Sequence, residues 1–166
     1  MIAPAVALYA RFLEARRTQA EAVSYFENSS AVTYQLVGSG TGLGSTKIDD
    51  KTNAGQISKS PPLAIDLSGR RVSDQDTAKL GQIIGLKRLR LRSSEITNTD
   101  FSPFAQMSSL ETLDLARSHP DAQQLRHVAA LSRLKTLYLD GADIDFDVLL
   151  CQHKLPRLRS LNLDSS

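Results

Sequence analysis

A glycine-rich run in the first third of this 166-residue chain has a composition that could hold phosphate. It extends from Gly38 to Gly44 and is followed by Ser45, Thr46 and Lys47. A phosphate-binding loop needs glycine, lysine and a hydroxyl residue in that order, so that backbone amides and the ammonium group meet at the phosphates. Here the lysine follows the hydroxyl residues. The run therefore favours a flexible loop over a nucleotide site.

Three aspartates in the second half have the spacing that opens a calcium loop. They are Asp143, Asp145 and Asp147. A calcium loop of this type also needs a glycine after the third aspartate and a bidentate glutamate at its end, where this chain has Lys154. Asp145 is better interpreted as the residue that caps a helix.

The remaining metal-ligand and nucleophile types do not form a pattern. His119, His127 and His153 fall at different positions of the repeat described below, so they are not expected to converge on a metal. Cys151, the only cysteine, is interpreted as a small buried hydrophobic residue rather than a reactive thiol. We predict no enzyme, no cofactor and no metal.

Polar residues that recur every 24 residues are the best candidates for binding. The set comprises Asp66, Arg88, Arg90, Arg92, Thr112, Asp114, Thr136, Tyr138, Asp140 and Asn162. If successive copies lie side by side about 4.8 Å apart, Asp66, Arg90 and Asp114 form a row of alternating charge. Two interpretations stay open. The row is either a solvated ladder of weak ion pairs or a recognition surface with Tyr138 as its aromatic anchor.

These residues belong to a sequence repeat of Leu-x-x-Leu-x-Leu form. The copies are Leu86/Leu89/Leu91, Leu110/Leu113/Leu115, Leu134/Leu137/Leu139 and Leu158/Leu161/Leu163, with a degenerate copy at Pro62/Ile65/Leu67. Positions 1, 4, 6, 11, 16, 19 and 22 of the unit are apolar except at Pro62, Thr77, Pro120 and Gln152. Spacing of two indicates a strand and spacing of three a helix, so each unit is predicted to be a strand, a turn and a returning helix with these positions buried.

Short polar residues mark where each helix should begin. They are Ser73/Asp74, Thr97/Asn98, Asp121 and Asp145, whose side-chain oxygens could accept hydrogen bonds from the amides of a first helical turn. Pro120 immediately precedes Asp121, which predicts a local bulge in that repeat.

The repeat resembles leucine-rich repeats, and among them the 24-residue bacterial type. The resemblance covers residues 62–166, as four complete repeats and a truncated fifth, and includes Leu67-Ser68-Gly69 and Val72-Ser73-Asp74. It implies an α/β solenoid with a parallel concave sheet and convex helices. Position 9, commonly asparagine in this family, reads Arg70, Ser94, Ser118, Ala142 and Ser166, so serines would replace part of the asparagine ladder.

Residues 1–61 lie outside the repeat and divide into two parts. Residues 1–28 favour a helix, in which Leu8, Phe12, Ala15, Ala22, Val23 and Phe26 form an uneven apolar stripe. Residues 29–61 combine a candidate capping strand at Val32–Leu36 with a Gly/Ser-rich loop. The helix and strand would cover the first repeat. The alternative rests on resemblance: Arg16-Arg17-x-Gln19 before Ala22-Val23 is similar to the juxtamembrane start of membrane-anchored bacterial leucine-rich-repeat proteins.

Composition and charge limit the function. A net charge of +2 lacks the basic excess of a general nucleic-acid binder. We predict a non-enzymatic protein-protein interaction module that binds another protein through the concave face. The alternative is a structural spacer or self-assembly element that uses the uncapped edge of the last repeat. Two localisations stay open: a protein soluble as the chain stands, or one anchored by an upstream span with its repeats outside the cytoplasm.

Overall fold

The computed structural model describes residues 4–28, 32–35, 46–47, 64–141 and 155–163, with side chains from residue 10 onward in the first range and backbone alone in the next two. The predictions about Leu8, Gly38–Gly44, Pro62, Asp143–Asp147, Cys151, Gln152, His153 and Ser166 lie outside these descriptions. The helices are α1 (Pro4–Asn28), α2 (Asp74–Gly81) and α3 (Ala122–Ala129), with a 3₁₀ helix at Ser102–Gln106. The strands are β1 (Val32–Gln35), β2 (Thr46–Lys47), β3 (Ala64–Asp66), β4 (Arg88–Arg90), β5 (Thr112–Asp114), β6 (Thr136–Tyr138) and β7 (Ser160–Asn162).

The described strands form one sheet in the order β2-β1-β3-β4-β5-β6-β7. Strands β3 to β7 are parallel, and each pairs with the next at a register of 24 residues, as in Ile65 opposite Leu89 and Leu89 opposite Leu113. Connections that contain helices link these strands where the structure describes them, as parallel pairing requires. The predicted α/β class with a parallel sheet is confirmed.

A tight turn follows each of the strands β3 to β6 at position 8 of the repeat. The backbone φ there is positive in all four cases, at 70° for Gly69, 54° for Ser93, 58° for Arg117 and 64° for Gly141. In the second repeat the amide of Ser94 closes the turn onto the carbonyl of Leu91, at 3.1 Å. A type II turn needs a left-handed residue at this point, which glycine supplies without steric cost. Two of the four repeats therefore hold a non-glycine residue in a strained conformation.

The core lies where the repeat predicts it. Every described member of the apolar set in the four complete repeats is buried except Leu155, which is partly buried. Thr77 and Pro120, which break the pattern chemically, are buried at the same positions. The release of this apolar surface from water is the main force that holds the units together. In the fifth repeat Leu161 and Leu163 remain 38% and 39% exposed.

Two of the predicted helix caps are confirmed. Ser73 accepts a hydrogen bond from the amide of Asp76 at the start of α2, and Asp121 accepts one from the amide of Gln124 at the start of α3. Both side chains at the third helical position return a bond to the cap residue's amide, which completes a capping box. The two helices start at the same repeat position, so Pro120 does not displace α3.

The predicted cap at Thr97/Asn98 is wrong. This repeat has only the five-residue 3₁₀ helix Ser102–Gln106, which begins after Phe101 without a side-chain cap. Thr99 instead bonds to the carbonyl of Val72 at 2.8 Å, and Asp100 accepts a bond from the amide of Ser102 at 2.8 Å. These bonds hold the segment in an irregular path where a helix was expected to start.

Serine side chains tie successive repeats together, as position 9 predicted. The hydroxyl of Ser94 donates to the carbonyl of Leu67 at 2.9 Å, and that of Ser118 donates to the carbonyl of Leu91. Gln124 adds a link that the repeat pattern did not reveal, since its amide donates to the carbonyls of Ile96 and Thr99 at 2.7 and 2.8 Å. All three side chains are buried, so these bonds give their polar groups partners where water cannot reach.

The end of α1 nearer β1 covers the first repeat. Ala22 and Phe26 are fully buried and belong to the core. The amide of Gln19 donates to the carbonyl of Ile84 at 3.2 Å, and the hydroxyl of Tyr25 donates to Asp76 at 3.0 Å. This contact explains why desolvation, together with the hydrogen bond to Asp76, raises the pKa of Tyr25.

The apolar stripe of α1 is shorter than predicted. Phe12 is 55% exposed and Ala15 is exposed as well, because the described contacts with the repeats start only near Gln19. None of the described helices is long and apolar enough to cross a membrane.

The predicted capping strand is confirmed as β1, which pairs antiparallel with β3. It contributes backbone hydrogen bonds to the first repeat, whose strand would otherwise present an open edge. Residues 46–47 were predicted to lie in a loop, but they form β2 and pair with β1.

Candidate functional site

The predicted polar residues lie on or directly after neighbouring parallel strands. We call this set the strand face, and it comprises Asp66, Arg88, Arg90, Arg92, Thr112, Asp114, Thr136, Tyr138, Asp140 and Asn162. All ten are partly or largely exposed. Because buried leucines alternate with them along β4, β5 and β6, the polar side chains of these strands project from the opposite side of the sheet.

The central row of the strand face holds the predicted order of charges. Asp66, Arg90, Asp114, Tyr138 and Asn162 stand opposite one another in register. Arg90 lies 3.6 Å from the carboxylate of Asp66. Ser68 holds the same carboxylate through its amide at 3.0 Å and its hydroxyl at 2.6 Å. The charges of Asp66 and Arg90 at this end of the row therefore neutralise each other.

The negative charge of Asp114 is less well compensated than that of Asp66. Its carboxylate accepts a hydrogen bond from the amide of Ala116 at 3.1 Å, and no ion pair joins it to an arginine among the described residues. Burial raises its pKa, an effect that the nearby charge of Asp140 reinforces and that Arg92 and Arg90 oppose. The strand face thus keeps a partly desolvated carboxylate beside a second acid.

Three charged side chains of the strand face have no hydrogen bond or ion pair in the described part of the molecule. The Oδ1 atom of Asp140 is buried and accepts no hydrogen bond. Arg88 and Arg92 form no hydrogen bond or ion pair with a described residue. A buried acceptor without a partner costs free energy, and proteins keep such groups most often where a ligand or ion can satisfy them.

The outward positions are not uniformly open. Ala64 and Ala116 occupy positions at which the strand pattern predicts outward-facing side chains, yet both are buried. β1 lies beside Ala64. The face available for binding therefore lies mainly along β4, β5 and β6.

A second charged row was missed. Lys87 and Lys135 flank Glu111, with nitrogen to oxygen distances of 3.0 and 2.5 Å. The hydrogen bonds from Lys135 and then Lys87 lower the pKa of Glu111. The three residues stand 24 positions apart, so the repeat register could have identified them. Since both lysines bond to Glu111, this row links three successive repeats and is a poorer candidate for binding.

The structure shows no metal centre in the ranges that it describes. No group of three or more histidine, cysteine, aspartate or glutamate side chains could hold a metal ion there. Comparison with protein-family models, curated proteins and solved structures finds no match to this chain.

Proposed function

We propose that residues 62–166 form a leucine-rich-repeat solenoid and that the chain is a non-enzymatic module that binds another protein through the strand face. The constant 24-residue register of β3 to β7 supports the solenoid. In such an architecture the sheet lines the concave surface, and stacked units create an extended binding area.

The observation that carries the binding proposal is the incomplete pairing of the strand face. Arg88, Arg92 and Asp140 lack a hydrogen bond or ion pair among the described residues, whereas in the neighbouring row Glu111 is ion-paired to both Lys87 and Lys135. A purely structural face would gain stability by pairing or losing these charges. Polar groups kept ready for a partner, with Tyr138 among them, are typical of protein interfaces.

A comparison of three proteins tests this proposal. The first is the unmodified chain, and the second carries Arg88→Glu, Arg90→Glu and Tyr138→Ala on the strand face. The third carries Arg126→Glu, Arg133→Glu and Phe12→Ala, which make the same change in charge and remove one exposed aromatic away from that face. Each is immobilised and exposed to extract of the source cells, after circular dichroism has shown that all three are folded.

The unmodified chain and the third protein should retain a common set of proteins that the strand-face variant loses. Retention of the same set by all three would contradict the proposal, because binding would then not depend on this face.

A structural spacer or self-assembly element is the second candidate, supported by one observation. Leu161 and Leu163 are more than one third exposed although the equivalent leucines of the other described repeats are buried. Apolar surface of this kind favours packing against a further unit. Light scattering should then show a mass that rises with concentration, and Leu161→Lys with Leu163→Lys should abolish the rise. A constant monomeric mass would exclude self-assembly.

A further inference from the structure

Opposite charges are separated along the strand face. Its arginines without an ion pair to a described residue are Arg88 and Arg92, on and just after β4, whereas the carboxylates of Asp114 and Asp140 lie on β5 and just after β6. The Asp66–Arg90 pair contributes no net charge. The face therefore presents a basic end and an acidic end to a partner, which favours a partner with charges in the complementary order.

The acidic end favours an arginine over a lysine or a small cation. Burial raises the pKa of Asp114, and the nearby charge of Asp140 adds to this effect while Arg92 and Arg90 oppose it. Asp140 still has a buried oxygen without a hydrogen bond. A guanidinium group has five donors in one plane, so it can bond to two carboxylates at once. Tyr138 stands beside Asp114 in the sheet register, where its ring could stack on that plane.

The strand geometry sets the spacing between the two ends. Arg88 is separated from the Asp114/Asp140 pair by between one and two strand spacings, and by about three residues along the strand direction. With about 4.8 Å between strands and about 3.3 Å per residue, the distance is roughly 12 Å. An extended peptide covers this distance in about four residues, and side chains four positions apart then lie on the same side.

We infer that the strand face recognises an extended protein segment that presents an arginine to Asp114 and Asp140 and an aspartate or glutamate, about four positions away, to Arg88. This inference rests on the proposed function, because it specifies the chemistry of the partner for the same face. It gives Arg88 and the buried oxygen of Asp140 their counterparts.

Selection from a random twelve-residue peptide library displayed on phage tests this chemistry. The immobilised full chain should enrich peptides that contain arginine with an acidic residue three to five positions away. The Asp114→Asn/Asp140→Asn variant should lose the preference for arginine, and Arg88→Gln should lose the preference for the acid. Glu14→Gln/Glu27→Gln is the matched control, since it removes two exposed carboxylates from α1 and should select the same peptides as the unmodified chain.

Fluorescence polarisation with one selected peptide measures how much the arginine contributes to affinity. Replacement of its arginine by citrulline, which keeps the shape and removes the charge, should weaken binding at least tenfold, because it leaves the two carboxylates without their cation. The Asp114→Asn/Asp140→Asn variant should weaken binding of the original peptide similarly and should bind the two peptides about equally.

The outcomes separate this inference from the proposed function. Enriched peptides that lack the arginine and acid pattern, but bind the strand face, would overturn the inference and leave the function standing. Failure of the unmodified chain to enrich any peptide would overturn the inference and count against the proposed function. A doubled mass in solution that the Asp114→Asn/Asp140→Asn variant abolishes would also overturn it, because a second copy would then occupy the face.

Discussion

The hydroxyl group of Ser94 donates a hydrogen bond to the backbone carbonyl of Leu67, 27 residues earlier in the chain, at 2.9 Å. Ser118 makes the equivalent bond to Leu91 one repeat later. Both hydroxyls are buried, and each one bonds to a carbonyl of the preceding unit beyond the end of its strand. The bonds therefore continue the connection between repeats past the point where regular strand pairing stops.

Replacement of Ser94 by alanine should destabilise the protein by about 1 kcal/mol, because the carbonyl of Leu67 loses this hydrogen bond and keeps only the longer one, 3.3 Å, from the amide of Arg70. Urea unfolding followed by circular dichroism measures the change. Ser132→Ala is the matched control, since Ser132 is exposed and should change the free energy of unfolding by less than about 0.5 kcal/mol. Equal effects of the two substitutions would show that the Ser94 bond does not stabilise the stack.

The covering role of α1 is tested with two phenylalanines of the same helix. Phe26 is fully buried in the core and Phe12 is 55% exposed. Phe26→Ala should cost about 3–5 kcal/mol, because it leaves a cavity against the first repeat. Phe12→Ala should cost little, since the side chain keeps most of its contact with water. Thermal unfolding of both variants checks this, and a small effect of Phe26→Ala would show that α1 does not contribute to the core.

The turns after the strands allow a stabilising substitution. Arg117 adopts a φ of 58°, where glycine occupies the same position in two other repeats. Arg117→Gly should stabilise the protein by up to about 1 kcal/mol, since the steric cost of a left-handed side chain exceeds the extra flexibility of glycine in the unfolded chain. Gly141→Ala should have the opposite effect. A lower melting temperature for Arg117→Gly would mean that its side chain makes a contact worth more than the strain.

Much of the fold was predictable because the repeat encodes it locally. The strands and the core follow from apolar spacing, and the caps at Ser73 and Asp121 follow from side chains that reach only their own helix. Thr97 failed as a cap because Asn98 directly after it has a φ of 59°, which a right-handed helix does not allow, and Thr99 bonds to Val72 in the preceding repeat. A bond between repeats competes with a local one, and the sequence of a single unit does not reveal which of them forms.

The candidate site was predictable as a set of residues but not as a set of interactions. The register of 24 residues places Asp66, Arg90 and Asp114 in one row. It does not show that Arg90 pairs with Asp66, or that Asp140 keeps a buried oxygen without a hydrogen bond. Such differences depend on side-chain conformations and on burial, which repeat position alone does not determine.

The charged row at Glu111 should make stability depend on acid pH. Its two lysine partners lower the pKa of Glu111, so the stabilisation is complete above the ordinary value of 4.5 and is lost as the pH falls through the lower pKa of the folded state. Glu111→Gln should cost about 0.5–1 kcal/mol at pH 7, a modest value because the three side chains are about one third exposed.

Urea unfolding of Glu111→Gln at several pH values measures this dependence. The difference in free energy of unfolding between this variant and the unmodified protein should shrink as the pH falls below 4.5. Glu95→Gln should change little at any pH, because its contact with Arg71 is 3.9 Å long and largely exposed. A difference for Glu111→Gln that stays constant with pH would contradict the assignment.

Asp114 should show the opposite pH dependence. Burial raises its pKa in the folded state, so its full contribution to stability is present below the ordinary value of 3.8 and is lost as the pH rises through the raised pKa. Asp114→Asn should therefore be more stable than the unmodified protein at pH 7. The asparagine oxygen can still accept the hydrogen bond from the amide of Ala116. Asp66→Asn should be less stable instead, since it removes the partner of Arg90.

Thermal unfolding of Asp114→Asn and of the unmodified protein, at pH 7 and at pH values below 3.8, tests this prediction. The gain in melting temperature should be largest at neutral pH and should disappear in acid, where the carboxyl group of the unmodified protein is protonated. A residue that costs stability when ionised, on a face where asparagine would fit, is expected where the charge serves binding. If Asp114→Asn lowers the melting temperature at neutral pH, the carboxylate stabilises the fold, and the strand face loses this support as a binding site.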